Sequence, residues 1–385
     1  MKQESPSENL FHYLHWRGDL SFAQAPFCPV DNLIFCCLSY LNWGIPASSS
    51  TPETAISLKD AAAYWEHLPE SLQQTRVPLD LQLLQQAANS TRFGSVRLFR
   101  YVESFQEQQE QQFSATTFLL DNDTAYVAFR GTDNTLVGWK EDFNMSFQSE
   151  VPSQTAAAAY LQEFSALPIH HILVGGHSKG GNLAVFAAVK APPVLQARIQ
   201  AVYNNDGPGF CSDILHSVAY YQILHKVHTF VPEASIVGML LEHEEDYQVI
   251  ASTQHGFLQH DPYSWCVNGA DWYYLPETSS TSQRLDASLK HWIASMQPAE
   301  RERMVDTIFH LLRSQTNAET IQDLLNGGTS TIFQLLRTWS DTPLETREFM
   351  QKMLPTIYYD AAKTQYTSGF LQYLINKKSF PSMKR

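Results

Sequence analysis

The sequence contains no run of apolar residues long enough to cross a membrane. The nearest, Leu33-Ile-Phe-Cys-Cys-Leu-Ser-Tyr-Leu, falls well short of the roughly 18 residues a spanning helix needs. Met1 to Asn9 is polar, with no apolar stretch behind a basic start, so no secretory signal is expected. Cysteine is scarce and odd in number, five in 385 residues, with Cys36 and Cys37 adjacent inside the apolar run. Such a set makes no disulfide framework; reduced, mostly buried thiols and a cytoplasmic location are expected. Positive charge is also short: 26 Lys and Arg stand against 39 Asp and Glu, a net charge of −13. That excludes a broad electrostatic attraction to nucleic acid or to an anionic membrane. The only basic cluster, Lys377-Lys378 with Lys384-Arg385, reads as a solvated terminus. His243-Glu-Glu-Asp lacks the H-E-x-x-H spacing of a zinc site and reads as a solvated acidic turn, and no phosphate loop of the G-x-x-x-x-G-K-[ST] order is present. No metal and no cofactor is therefore expected.

What is there is an ordinary globular composition, 44% apolar and 17% charged, in a chain long enough for one large domain or two smaller ones. Its centre is Ile169-His-His-Ile-Leu-Val-Gly-Gly-His-Ser-Lys-Gly-Gly-Asn-Leu-Ala-Val-Phe-Ala-Ala. Ile172-Leu-Val is a continuous apolar run that suits a central parallel strand, and Leu183 to Ala191 suits a small-residue helix packed closely on a sheet. Between them Gly176-His177-Ser178-Lys179-Gly180 fits G-x-S-x-G, a strained turn that raises a serine hydroxyl above the sheet. The helix that follows aims its unpaired N–H groups and positive end at that serine, where negative charge would develop.

Along the rest of the chain, 1–90 reads as a mainly helical N-terminal segment packed on the core, with helices between Leu58 and Asn89 parted by Pro69 and Pro78. Asp31 or Asn32 is placed to cap the apolar Leu33 to Leu41 as a helix. From 91 to 276 strand patterns alternate with helical ones, which indicates an α/β sheet flanked by helices. Its strands include Phe93 to Val102, Ala115 to Leu120, Thr124 to Arg130, Ile199 to Asn205, Val227 to Pro232 and Tyr247 to Ser252. The Gln106-Glu-Gln-Gln-Glu-Gln-Gln run reads as a solvated loop or helix end. Residues 277–284 are a polar linker candidate, and 285–385 carries helix-period apolar residues, a C-terminal all-helical appendage.

Taken together, Trp16-Arg-Gly-Asp-Leu, Val-Ala-Phe-Arg-Gly-Thr-Asp at 127–133, Gly-Gly-His-Ser-Lys-Gly-Gly-Asn, Asn-Asp-Gly-Pro-Gly-Phe, Val-Pro-Glu-Ala-Ser-Ile-Val-Gly and Gln-His-Asp-Pro-Tyr-Ser-Trp resemble the Mbeg1-like family. That family has the α/β-hydrolase fold and is similar to class 3 lipases. The resemblance implies a serine hydrolase framework acting on a small-molecule acyl ester or lipid-like substrate, with no integral membrane segment and no indication of a protein partner. A non-catalytic scaffold that binds a partner through its C-terminal helices is the competing expectation.

A serine nucleophile needs a base in hydrogen-bond reach and an acid to orient it, and in this fold they follow in the order Ser, acid, His. Ser178 is the expected nucleophile. His260 is the expected base, because the resemblance places a histidine just before an aromatic-rich end segment and Asp261-Pro262 would hold it in a rigid loop; His255 is the alternative. His177 is expected to serve packing or hydrogen bonding. For the acid, Asp206 ends a strand before Gly-Pro-Gly, and Glu233 is its rival. Class 3 lipases carry an aspartate three residues before the proline of their Val-Pro motif, and Thr229 occupies that position here. The oxyanion donors are expected to be the backbone N–H of Lys179 and, by resemblance, Thr132 through its N–H with its hydroxyl as a further donor. The Lys179 side chain could bind an anionic substrate group or pair with Asp133 or another acid. The stretch from Trp139 to Gln148 corresponds to the lipase lid and reads either as an amphipathic cover or as a fixed surface helix.

Overall fold

In Ala125-Tyr-Val-Ala-Phe129, successive side chains enter opposite cores: Tyr126 and Ala128 join one apolar cluster, Ala125, Val127 and Phe129 the other. This period of two, over a strand buried on both faces, is what a central strand covered by two helical layers requires. The computed structural model describes residues 7–316 except 45–46, 70–72, 74, 134, 281 and 284–295.

The strands are β1 (Ile56–Ser57), β2 (Arg97–Gln106), β3 (Gln111–Leu119), β4 (Thr124–Phe129), β5 (His171–His177), β6 (Ile199–Asn205), β7 (Val227–Pro232), β8 (Tyr247–Ile250), β9 (Val267–Asn268), β10 (Asp271–Trp272) and β11 (Tyr274–Leu275). Nine of them form one sheet in the order β1-β2-β3-β4-β5-β6-β7-β8-β11, and β9 and β10 pair as a separate hairpin. Pairings from β4 to β8 are parallel; β1, β2, β3 and β11 join antiparallel. The helices are α1 (Leu10–Arg17), α2 (Pro29–Leu38), α3 (Leu58–Glu66), α4 (Pro78–Ala88), α5 (Leu136–Asn144), α6 (Pro152–Gln162), α7 (Lys179–Lys190), α8 (Pro193–Gln196), α9 (Ser212–Leu215), α10 (Val218–Ile223) and α11 (Pro298–Thr316). Helices α1 to α4 cover one face, and α6 to α10 cover the other. The fold is α/β, a large mixed sheet flanked by helices. No helix among the described residues is long and apolar enough to cross a membrane.

The helical layer of α1, α2 and α4 is fastened by a buried charge pair. Arg92 donates to both carboxylate oxygens of Asp31, at 2.7 and 2.5 Å, and Tyr13 donates to the same carboxylate at 2.7 Å. Asp31 also accepts the N–H of Cys28 at 2.9 Å, which closes a capping box at the start of α2. The capping expectation for Asp31 thus holds from the third helical position rather than from the cap itself.

Two other expectations hold only in part. The glutamine-rich run is solvent-exposed from Gln106 to Gln109, where a 3-10 turn joins β2 to β3, but Gln111 and Gln112 open β3 and are buried. The acidic turn at His243 is exposed at Glu244 and Asp246 but not at Glu245. Glu245 is buried and accepts hydrogen bonds from Thr229, Tyr220 and His243. Burial opposes its charge, yet these bonds, with His243 foremost, pull its pKa down to about 2. In the 277–284 stretch, Thr278 and Ser282 are buried, and Ser279 donates its backbone N–H to Glu233 at 2.7 Å. Of the C-terminal region, α11 packs Met304, Val305, Ile308 and Phe309 on Leu136, Trp139 and Phe143 of α5. Trp292, Ile293 and everything from 317 onward lie outside the described residues.

Candidate active site

The five parallel strands β4 to β8 end at one edge of the sheet, the usual place for a site in an α/β sheet. The loop after β4 carries Arg130 to Asp133, β5 leads into Ser178, β6 leads into Asp206, and the segment after β8 carries His260.

Ser178 sits at φ 57°, ψ −134° between β5 and α7. That backbone is costly for a residue with a Cβ and survives only where the surroundings force it. Here the forcing is packing. A Cβ on Gly176 would lie 2.1 Å from the backbone of Gly180, and a Cβ on Gly180 would lie 2.1 Å from the carbonyl oxygen of Phe129. Strand, turn and helix therefore touch backbone to backbone. Beneath the turn, Asn205 donates to the carbonyl of Gly176 at 2.9 Å and is held in turn by Asn32 at 2.8 Å.

Asp206 also has positive φ, 54°. Its side chain is fully buried, and Oδ2 lies 2.6 Å from Nδ1 of His260. Oδ1 accepts from the Ser235 hydroxyl at 2.5 Å and from the N–H of Gly238 at 3.2 Å. The structure thus brings together His260 and Asp206. It does not bring in the alternatives: Glu233 and His255 are both exposed.

His177 is buried between the two halves of this arrangement. Its Nε2 is 2.8 Å from the backbone oxygen of His260, and its Nδ1 is 3.1 Å from the Tyr40 hydroxyl. A carbonyl can only accept, so Nε2 carries the proton and Nδ1 accepts from Tyr40. The rings of His177 and His260 lie with centroids 4.6 Å apart, tilted by 35°. Burial, helped by the neighbouring His260 and Arg76, pushes the His177 pKa well below the ordinary histidine value. The sign follows directly. Below about pH 6.5 the unfolded chain protonates this histidine and the folded chain does not, so stability falls with pH at up to about 1.4 kcal/mol per unit. His177→Gln is expected to flatten this slope between pH 6.5 and 5 in denaturant titrations, and an unchanged difference from wild type across that range would contradict it.

The loop after β4 lies against the serine: a Cβ on Gly131 would be 3.2 Å from the Cβ of Ser178. Arg130 turns away and pairs with Glu103 at 2.8 Å. Thr132 donates its hydroxyl to Asp142 at 2.6 Å, so that hydroxyl is committed to the carboxylate. Asp142 has Oδ1 shut off from solvent, and burial raises its pKa to about 7 against the opposing pull of Lys179 and Thr132.

The Lys179 side chain does not reach a substrate. It is fully buried and donates to the carbonyl and side-chain oxygen of Gln112, at 2.8 and 3.0 Å, and to Glu141 at 2.9 Å. Its partner is neither Asp133 nor an incoming anion. As the first residue of α7, Lys179 has no intrahelical acceptor for its own N–H. Glu141 is fully buried as well and accepts from Ser153 and from the N–H of Gln112. Helix α5, the lid-like stretch, is thus pinned on its inner side by Glu141. On its outer side α11 covers it, and Lys140 bonds to Glu110 and Asp306 at 2.5 and 2.7 Å. Glu141 and Gln112 are the residues that the sequence reading missed. The available signal was a glutamate three positions after Gly138, on the face that also buries Leu136 and Asn144.

A family model described as Mbeg1-like matches residues 87–310, more than half of the chain. Among solved structures the chain is similar to the native Rhizomucor miehei lipase propeptide complex, at 17% identity over 49% of this chain and 64% of that one, with a TM-score of 0.29. It thus spans just under two thirds of that protein's length. A deletion mutant of the same complex matches at 15% identity over 74% and 88%, with a TM-score of 0.34, and M37 lipase at 15% over 55% and 68%, with a TM-score of 0.32. A search of curated protein sequences found no match.

Proposed function

Since the chain belongs to the Mbeg1-like family and sets a strained serine at a strand edge beside a histidine–carboxylate pair, we propose that it is a serine hydrolase. The substrate class is an acyl ester or thioester, lipid-like in its acyl part, and the intermediate is an acyl-enzyme. Ser178 attacks the carbonyl carbon, and its proton passes to Nε2 of His260 as the bond forms. Asp206 accepts a hydrogen bond from the Nδ1–H of His260, which leaves Nε2 unprotonated before attack and stabilises the imidazolium after it. The N–H groups of Lys179 and Thr132 receive the negative charge of the tetrahedral oxygen, a contribution of roughly 3 kcal/mol for each donor. His260 then returns the proton to the leaving oxygen or sulfur. Water, deprotonated by the same imidazole, releases the acid and restores Ser178.

The observation that carries this reading is the 2.6 Å contact between His260 and a fully buried Asp206, made by the segment after β8 and the residue that follows β6, the strand paired with β5. Labelling with a fluorophosphonate tests it. Wild-type protein is expected to take up one equivalent, Ser178→Ala none, and a panel of p-nitrophenyl and CoA esters of graded length to show turnover by wild type alone. Folded wild-type protein that resists the probe would favour the scaffold and sink the proposal.

A further inference from the structure

We infer that the buried Lys179–Glu141 ion pair, with Asp142 beside it, is a positioning device that fixes the two oxyanion donors relative to each other. This rests on the hydrolase reading above and extends it to residues that never touch the substrate.

The two proposed donors belong to separate elements. Lys179 opens α7, whereas Thr132 lies on the loop between β4 and α5. Backbone pairing of β4 with β5 ends at Phe129 and Gly176, three residues before each donor. Side chains carry the link beyond it. From Lys179, Nζ reaches Glu141 at 2.9 Å and stands 4.0 Å from Asp142, both on α5. From the other end, Asp142 accepts the Thr132 hydroxyl at 2.6 Å. The first turn of α5 also packs on Thr132, since a Cβ on Gly138 would lie 2.8 Å from its methyl group. The residue that gives one N–H therefore holds, through its own side chain, the helix that holds the residue giving the other.

A purely stabilising role does not account for this construction. Burying an ammonium and a carboxylate costs most of what their attraction returns, and well-packed neutral residues serve stability as well or better. A pair of charges does supply direction and a fixed distance. Glu141 accepts from Ser153 and Gln112 in addition to Lys179, and Lys179 donates to both oxygens of Gln112, so each end is held from several sides. Geometric precision of this kind matters most at an oxyanion hole, where a donor must meet an oxygen that exists only in the transition state.

The experiment uses the full-length chain. Lys179→Met keeps the backbone N–H but leaves Glu141 buried without its cation, so loss of fold alone could silence it. The Lys179→Met/Glu141→Gln double variant removes both charges and is expected to recover the wild-type thermal midpoint. Its kcat on a p-nitrophenyl ester is nevertheless expected to remain 10- to 100-fold low, with KM within about twofold of wild type. Asp142→Ala, which takes away the acceptor of the Thr132 hydroxyl, is expected to lower kcat similarly, and to add little when combined with the double variant because the three residues act as one unit. A double variant that regains both midpoint and kcat would show the pair to be structural only and overturn the assignment. Wild-type protein that neither hydrolyses esters nor reacts with fluorophosphonate would overturn the hydrolase reading and this inference with it. A labelled, active wild type with an unimpaired double variant overturns the inference alone.

Discussion

Asp206→Asn is expected to lower kcat for ester hydrolysis about 10⁴-fold while leaving the fold intact. The backbone at this position is left-handed, φ 54°, a conformation that asparagine adopts more readily than most residues, so the substitution introduces no strain. The amide can keep its oxygen toward the Ser235 hydroxyl and the Gly238 N–H, which donate to Oδ1 in the wild type. Its NH₂ then faces His260. An amide nitrogen donates where the carboxylate accepted, so Nδ1 of His260 must become the acceptor and the proton moves to Nε2. The imidazole then presents a donor to Ser178 and can no longer take its proton. Steady-state kinetics beside thermal melting separates this from unfolding: KM and midpoint near wild type, with kcat reduced by orders of magnitude. A fall in kcat of less than tenfold would mean that another group orients the base.

Arg92→Leu is expected to destabilise the folded state by about 3–5 kcal/mol, the cost of leaving a buried carboxylate without its cation. Asp31 and Arg92 are almost completely buried, at 0% and 1% side-chain exposure. After substitution, Asp31 would keep only Tyr13 and the Cys28 N–H as donors, too few to replace solvation of the charge. The guanidinium also donates to the carbonyls of Ala25 and Pro26 at 2.9 and 3.0 Å and covers the ring of Phe22, so the turn before α2 loses its anchor too. Adding Asp31→Asn to Arg92→Leu removes the stranded charge and is expected to restore a substantial part of the loss. Urea titration at constant pH reads both. A single-variant loss below about 1 kcal/mol would mean that water reaches Asp31 once the arginine is gone.

The pattern of legible and hidden features follows from how far each one reaches along the chain. Short-range steric rules wrote the turn around Ser178, because Gly176 and Gly180 are four residues apart and their crowding is local. The strand alternation in Ala125 to Phe129 and the break at Pro78 before α4 were legible for the same reason. The residues Asp206 and His260 were nominated by their place in the order Ser, acid, His, while their contact, made at a separation of 54 positions, is a fact of the fold. Hidden features were polar and long-range. Gln112 looked like part of a solvated glutamine tract, since a glutamine carries no mark of burial until something buried needs its oxygen. Lys179 supplies that need across 67 positions, and itself meets Glu141 across 38.

Glu245 makes the same point, its acidic surroundings pointing to solvent until Thr229, Tyr220 and His243 close over it. By itself the sequence determined the α/β layering, the strained turn and the short set of groups from which a hydrolytic site can be assembled, because local sterics and hydrophobic period act between near neighbours. Only the tertiary structure decided which carboxylate meets His260 and why a lysine follows the serine. Both are settled by polar contacts in a low-dielectric interior, where a partner is chosen by position in space, and residues far apart in the chain become the nearest ones available.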